Sequence, residues 1–190
     1  ELNQKLPHLE ENISAIVLPL KRIFMGRHIK HGTSDVSMIR IFRKGKVRCE
    51  ERLMDEHMTL LSGETTTFNN AFVDDNINSI SFFTNKHNGY ATKEAIVTLS
   101  NEYGYSNSDN CLSDTTKAKR AQKDRYYSMP LFLRAFIYFC LRYFIRGGFL
   151  DGKEGFLWHF LQGWWYRTLV DAKIYEIKKR CGNDKDKIKE

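Results

Sequence analysis

Asp55-Glu56-His57 places two carboxylates and an imidazole side by side just after a strand-like run. A carboxylate at a sheet edge can take the proton from a hydroxyl as that hydroxyl attacks an activated donor, while its neighbours orient the acceptor. The same trio also reads as a solvated acidic turn. Lys86-His87-Asn88, with Tyr90 close behind, forms a second group. A lysine can meet a diphosphate, and a neutral histidine can ligate a divalent metal or serve as a structural hydrogen-bonding group. Arg40, Arg43, Lys44 and Lys46 form a third group, suited to phosphate or to plain solvation at a turn. Asp74-Asp75-Asn76 can offer oxygen to a hard cation, or cap a following helix, which is the preferred reading.

The elements that must position these groups follow from pattern. Glu1 to about Asn12 reads as a short polar helix with Leu2, Leu6 and Leu9 on one side. Ala15–Leu18, Arg22–Met25 and Ser37–Phe42 read as strands. Gly26–Ser34 between them is a loop holding Arg27, His28, Lys30 and His31. Arg43–Lys46 is a turn with Gly45 at its tip, and Val47–Leu53 is the return strand of that hairpin. Met58–Leu61 and Thr65–Phe68 are further short strands. From Phe72 the pattern turns helical, with a second helix over Lys93–Tyr103 closed by Gly104. Ser113 or Asp114 is placed to cap a basic helix running towards Tyr127, and the charged tail from Gly182 should fray.

Met129–Phe149 is apolar and aromatic but carries Arg134, Arg142 and Arg146. A membrane-spanning helix needs about 20 apolar residues and rarely tolerates arginines at three depths. With Tyr138, the arginines fall every fourth residue and form one polar stripe, the pattern of a helix lying in a membrane interface. Gly147-Gly148 ends it, and a second aromatic helix follows from Phe156 to about Lys179. Its Trp158, Trp164, Trp165 and Tyr166 suit a headgroup region. Eight basic residues and one acid, Asp124, lie between Lys117 and Arg146. Anionic lipid attracts such a stretch by roughly 1 kcal/mol per basic residue. An ordinary helical hairpin, packed on the domain or on a second copy, has the same composition.

Bulk properties bound the rest. With 190 residues, 42% hydrophobic and 28% charged, the chain supports one domain with a real core. A net charge of +7 favours anionic partners without choosing among them. Cys49, Cys111, Cys140 and Cys181 contain no CxxC pair, so they read as reduced thiols of a cytosolic protein. The polar, acidic N-terminus has no signal-peptide pattern, and the start at Glu1 suggests a piece of a longer protein.

Five runs, taken in order, resemble the C-terminal half of bacterial glycosyltransferase family 2, of the lipopolysaccharide and capsule type. They are Phe24–Gly32, Ile39–Gly45, Met54–His57, Lys86–Ala95 and Arg146–Gly152, and the resemblance covers roughly residues 10 to 180. It implies an α/β (α+β) portion of a GT-A fold: a few mixed strands, then helices, then an amphipathic helical hairpin. It further implies an acceptor-side catalytic region over 1–110, a basic and aromatic membrane-docking or oligomerisation region over 111–181, and a disordered tail over 182–190. By resemblance the chain is an inverting transferase of cell-surface polysaccharide synthesis. It passes a sugar from a nucleotide-diphosphate donor to a lipid-linked saccharide acceptor, peripheral on the inner face of the cytoplasmic membrane. Glu56 is the first choice for the catalytic base and Asp55 the second. His57, Arg40, Arg43, Lys86, His87, Asn88 and Tyr90 are the expected substrate contacts, and His87 a metal contact. Arg134, Arg142, Arg146, Trp158, Trp164 and Trp165 are the expected docking residues. Such enzymes use Mg2+ or Mn2+ through a DxD motif. The motif and the donor-binding strands are expected before Glu1, because no suitable DxD occurs here. Without that half the chain should be inactive. The alternatives are a non-catalytic basic module at a membrane or on nucleic acid, and a helical hairpin that oligomerises. No RNA-binding motif is present, so nucleic acid is not an expected partner.

Overall fold

The computed structural model describes residues 1–50, 53–54, 56–104, 125–182, 184 and 187–188. Its architecture is mixed α and β, with a mixed sheet followed by helices. The N-terminal helix is shorter than expected: α1 spans Leu2–Lys5, and a 3-10 turn over Leu6–His8 carries Pro7.

The two strands expected before residue 26 are one, β1, over Ile13–Phe24. Pro19 lies inside it and has no N–H for a ladder, so β1 changes its parallel neighbour there. Before Pro19 that neighbour is β6 (Glu64–Thr67), and after it β7 (Phe72–Asn76). On the other side, β3 (Ser37–Phe42) runs antiparallel over Ala15–Pro19. The short β2 (Arg27–His28) closes a hairpin on Ile23 and Phe24. Met25 and Gly26 both have positive φ, +50° and +77°, the geometry of a two-residue hairpin turn.

Three expectations are corrected here. The Val47–Leu53 run does not return onto β3. Its strand, β4 (Val47–Cys49), pairs with β5 (Met58–Leu60) as a separate two-stranded ribbon. Phe72–Asn76 is a strand and not a helix start, so Asp74-Asp75-Asn76 is no cap. The cap is Ser79, whose Oγ accepts from Phe82 N at 3.2 Å. Finally, the two helices expected between Phe72 and Tyr103 are a single α2, Ile80–Glu102, which runs straight through Gly89. The expected cap at Ser113 or Asp114 lies outside the described residues.

The C-terminal part is a helical hairpin. Its first arm is α3 (Leu133–Cys140), continued by a π-helical stretch over Leu141–Ile145 that Arg146 N closes on Leu141 O at 2.9 Å. Gly147, at φ +72°, and a 3-10 turn over Gly148–Asp151 make the bend. The second arm is α4 (Gly152–Trp158), a π stretch (His159–Trp165) and α5 (Tyr166–Cys181).

Packing ties the hairpin to everything before it. Ala91, Ala95 and Leu99 of α2 meet Tyr166, Val170 and Ile174 of α5 in one apolar cluster. That cluster takes residues from both sides of the boundary expected near residue 110. Ile188 packs against it, so this tail residue is held. Phe24 and Ile29 join Phe83 and Trp158 in a second cluster, and Ile16, Leu18 and Phe68 form a third over the sheet.

Candidate functional site: an arginine-lined cleft beside an outward apolar face

Three of the five sequence runs converge on one place. Lys30 N and His31 N donate to Asp151 Oδ2 at 2.9 and 2.8 Å, and His31 Nδ1 lies 2.8 Å from Asp151 Oδ1. Gly32 N donates to Arg146 O at 2.9 Å, and Arg142 Nε donates to Gly32 O at 3.0 Å. The imidazole of His159 sits beneath, its Nε2 3.2 Å from His31 O. A carbonyl only accepts, so Nε2 carries a proton. Gly32 has φ +70°, and a Cβ there would lie 2.5 Å from both the His159 ring and Arg142 O. A Cβ on Gly148 would also meet that ring at 2.5 Å. The two glycines clasp the imidazole, and this close approach requires them.

Burial and the Arg142 charge push His159 down to about 4. Unfolded, it returns to its ordinary value of 6.5 and binds a proton first. Stability therefore falls as pH drops below 6.5 and levels off below about 4, by up to roughly 3 kcal/mol. Unfolding free energies from urea titrations at pH 7 and pH 5 should show about 2 kcal/mol of this loss, and His159→Gln should remove most of it. An equal loss in the variant would refute the assignment.

The third run arrives through α2. His87 is buried, stacks on Phe83 at 3.9 Å, and donates from Nδ1 to Phe83 O at 2.8 Å. Its Nε2 then accepts from Gln162 Nε2 at 2.5 Å, and burial lowers its pKa. Both nitrogens are engaged, so His87 packs the hairpin onto α2 and is not placed to hold a metal. Among the described residues no three His, Cys, Asp or Glu side chains come together for a metal ion. The described residues thus do not fit a divalent-cation site.

The other expected contacts stand apart. Arg40 is exposed over the Phe72 ring at 4.4 Å, and Arg43 Nε donates to Ile13 O at 2.8 Å. Glu56 and His57 are exposed at the mouth of the β4–β5 ribbon. There Cys49 Sγ lies 3.8 Å from Glu56 Oε2, and Glu50 N donates to His57 O at 2.9 Å. Asp55 lies outside the described residues. Asn88 is exposed, Lys86 sits over the Tyr90 ring at 5.5 Å, and Tyr90 packs against the α2–α5 cluster.

The arginine stripe exists, but it points inward. Arg134 is 2% exposed and Arg142 8%. Arg134 Nε and Nη2 donate to Asp171 Oδ1 at 2.8 and 2.5 Å, and Phe132 N donates to Asp171 Oδ2 at 2.7 Å. Trp158 is buried between Phe24 and Phe83. Arg134, Arg142 and Trp158 are therefore not docking residues: buried carboxylate, carbonyl and aromatic partners hold them inside. Arg146 is exposed at the rim, and Trp164 and Trp165 are half-buried on the outer side. What faces out is the apolar remainder of the hairpin. Leu133, Phe136, Ile137, Phe144, Ile145 and Leu150 are each more than two-fifths exposed, and Ile145 reaches 79%. Contiguous apolar surface of this kind marks an interaction site. No described helix is long and apolar enough to cross a membrane.

The sequence reading missed the carboxylates that organise this region. Asp151 and Asp171 are at most 2% exposed, and Glu94, 5% exposed, binds Tyr166 Oη at 2.5 Å and Arg167 Nη1 at 2.9 Å. A lone acid inside an apolar helix was the available signal, since burial of such a group demands a partner.

Between the β2–β3 loop and the hairpin lies a cleft of about 350 Å3, lined by Arg22, Arg142 and Arg146, with Asp74, Tyr138 and Trp158. Scanned against protein-family models, curated proteins and solved structures, the chain has no match.

Proposed function

We propose that this chain is the acceptor-side, membrane-resting half of an inverting family 2 glycosyltransferase with a GT-A fold. It passes a sugar from a nucleotide-diphosphate donor to a lipid-linked saccharide on the inner face of a bacterial cytoplasmic membrane. The observation that carries the reading is the inside-out hairpin. Arg134 and Arg167 are paired inside with Asp171 and Glu94, while leucine, isoleucine and phenylalanine side chains are presented to the outside. Water disfavours such a face, and an acyl layer accepts it. The basic stretch from Lys117 to Arg125 precedes the hairpin and would draw it to anionic headgroups.

The ordered runs supply the catalytic half of the reading. The Glu56 carboxylate takes the proton of the acceptor hydroxyl as its oxygen bonds to the anomeric carbon, and the nucleoside diphosphate leaves with the bonding pair. Glu56 is exposed at the ribbon mouth. The metal of such enzymes would be held by the donor half, and no step here is routed through it.

Vesicle co-sedimentation tests the surface. The chain should bind phosphatidylglycerol vesicles, and a Phe144→Ser, Ile145→Ser variant should bind at least tenfold more weakly. Burial of each side chain contributes about 1.5–3 kcal/mol. Unchanged binding by the double variant would sink the membrane reading. A concentration-dependent dimer lost in the same variant would assign the face to a second copy instead. Sugar transfer by the chain joined to its donor half separates the enzyme from a non-catalytic membrane module.

A further inference from the structure

The cleft wall concentrates positive charge, with three guanidinium groups and, among the described residues, one carboxylate. Arg22 comes from β1, Arg142 and Arg146 from the end of the first hairpin arm, and Asp74 of β7 is the one acid lining it. Among the described residues none of the three arginines forms an ion pair. Arg142 spends its Nε on Gly32 O and lies over the Tyr138 ring at 5.2 Å. Arg22 lies over the Trp158 ring at 5.1 Å, and Arg146 Nη1 reaches only Ser34 Oγ, at 3.3 Å. Burial holds both Arg22 and Arg142 below the ordinary arginine value, with Asp74 offsetting part of the effect on Arg22 and Tyr138 part of that on Arg142, which the Arg167 and Arg22 charges depress further. A guanidinium stays charged in proteins all the same, so the strain remains as unbalanced charge. A second hollow of about 320 Å3 adjoins, sharing Arg22, Thr33, Ser34 and Val36, and adds Lys21, Lys30 and one acid, Asp35.

An oxyanion supplies what the guanidinium forks lack, negative charge with acceptors matched to their donors. We propose that the cleft is a binding site for a phosphate monoester or diphosphate group, held by Arg22, Arg142 and Arg146. The assignment stands apart from sugar transfer. Arg146 directly follows the outward Phe144 and Ile145, so a lipid-borne phosphate can enter from the surface that carries them. A free phosphate compound can enter from solvent.

Calorimetric titration with inorganic pyrophosphate tests the site. One saturable event is expected, weakened by added salt and by about tenfold to a hundredfold in Arg22→Gln and in Arg146→Gln, as for loss of a charge-assisted hydrogen bond. Arg146 is exposed, so its variant should keep the fold, which circular dichroism checks. Lys44→Gln, at the exposed β3–β4 turn, should bind as the parent does. The absence of saturable binding, or equal weakening in Lys44→Gln, would overturn the site. Vesicles identify the source. Stronger binding to phosphatidic acid than to phosphatidylglycerol, with pyrophosphate competing, assigns a lipid phosphate. Pyrophosphate binding without that preference assigns a soluble one. Pyrophosphate binding with no vesicle binding at all keeps the site and removes the membrane reading.

Discussion

Glu56→Gln in the chain joined to its donor half is expected to lower kcat by about 10²–10⁴-fold, with KM for the sugar donor little changed. The amide keeps the size of the side chain and removes its basicity, which is the range over which general-base catalysis contributes. The effect should fall on kcat and kcat/KM together, because the proton moves only as the bond forms. The fold should be untouched, since Glu56 is exposed and, among the described residues, meets the Cys49 thiol at 3.8 Å. Asp55→Asn is the companion variant. A large loss there with a small one in Glu56→Gln would move the base by one residue. Full activity in both would end the catalytic assignment.

Asp171→Asn is expected to destabilise the protein by about 3–5 kcal/mol, the usual result of removing one partner from a buried ion pair. Asp171 is 1% exposed and accepts from Arg134 and from Phe132 N. The second contact holds Phe132 at φ +66°, a conformation that costs a non-glycine residue on the order of 1 kcal/mol or more. Arg134 has few other resources. Its Nη1 donates to Tyr127 O at 3.0 Å and its guanidinium lies over the Tyr127 ring at 4.7 Å. For a chain of this length each kcal/mol moves Tm by about 2–4 °C, so a fall on the order of 10 °C should be seen by thermal denaturation. Arg134→Met combined with Asp171→Leu should recover much of it, because an apolar pair leaves no buried charge. A single variant that melts within about 2 °C of the parent would show that the pair is dispensable.

Some of this was legible in the sequence because it is local. Ser37–Phe42 has the same bounds in the chain and in the fold, set by its alternation and by the turn at Gly45. The strands near Met58 and Thr65 and the break at Gly147-Gly148 follow from the same kind of signal. Phe72–Asn76 was misread because its Asp-Asp-Asn end resembles a cap, while parallel pairing with Leu20–Phe24 makes it a strand. Partners fifty residues away leave no trace in a local pattern.

The sequence alone determined that Met129–Phe149 carries a polar stripe on an apolar helix, and that the chain has an excess of positive charge. Which way the stripe faces was decided by tertiary structure. Periodicity gives a helix two faces but no inside. The inside was chosen by Asp171, thirty-seven residues from Arg134, and by Gly32 O, a hundred and ten from Arg142. Buried guanidinium groups require partners, and those partners exist only once the hairpin has closed on itself and on the β2–β3 loop. The same closure brings Arg22 to Arg142 and Arg146 and turns the apolar side outward.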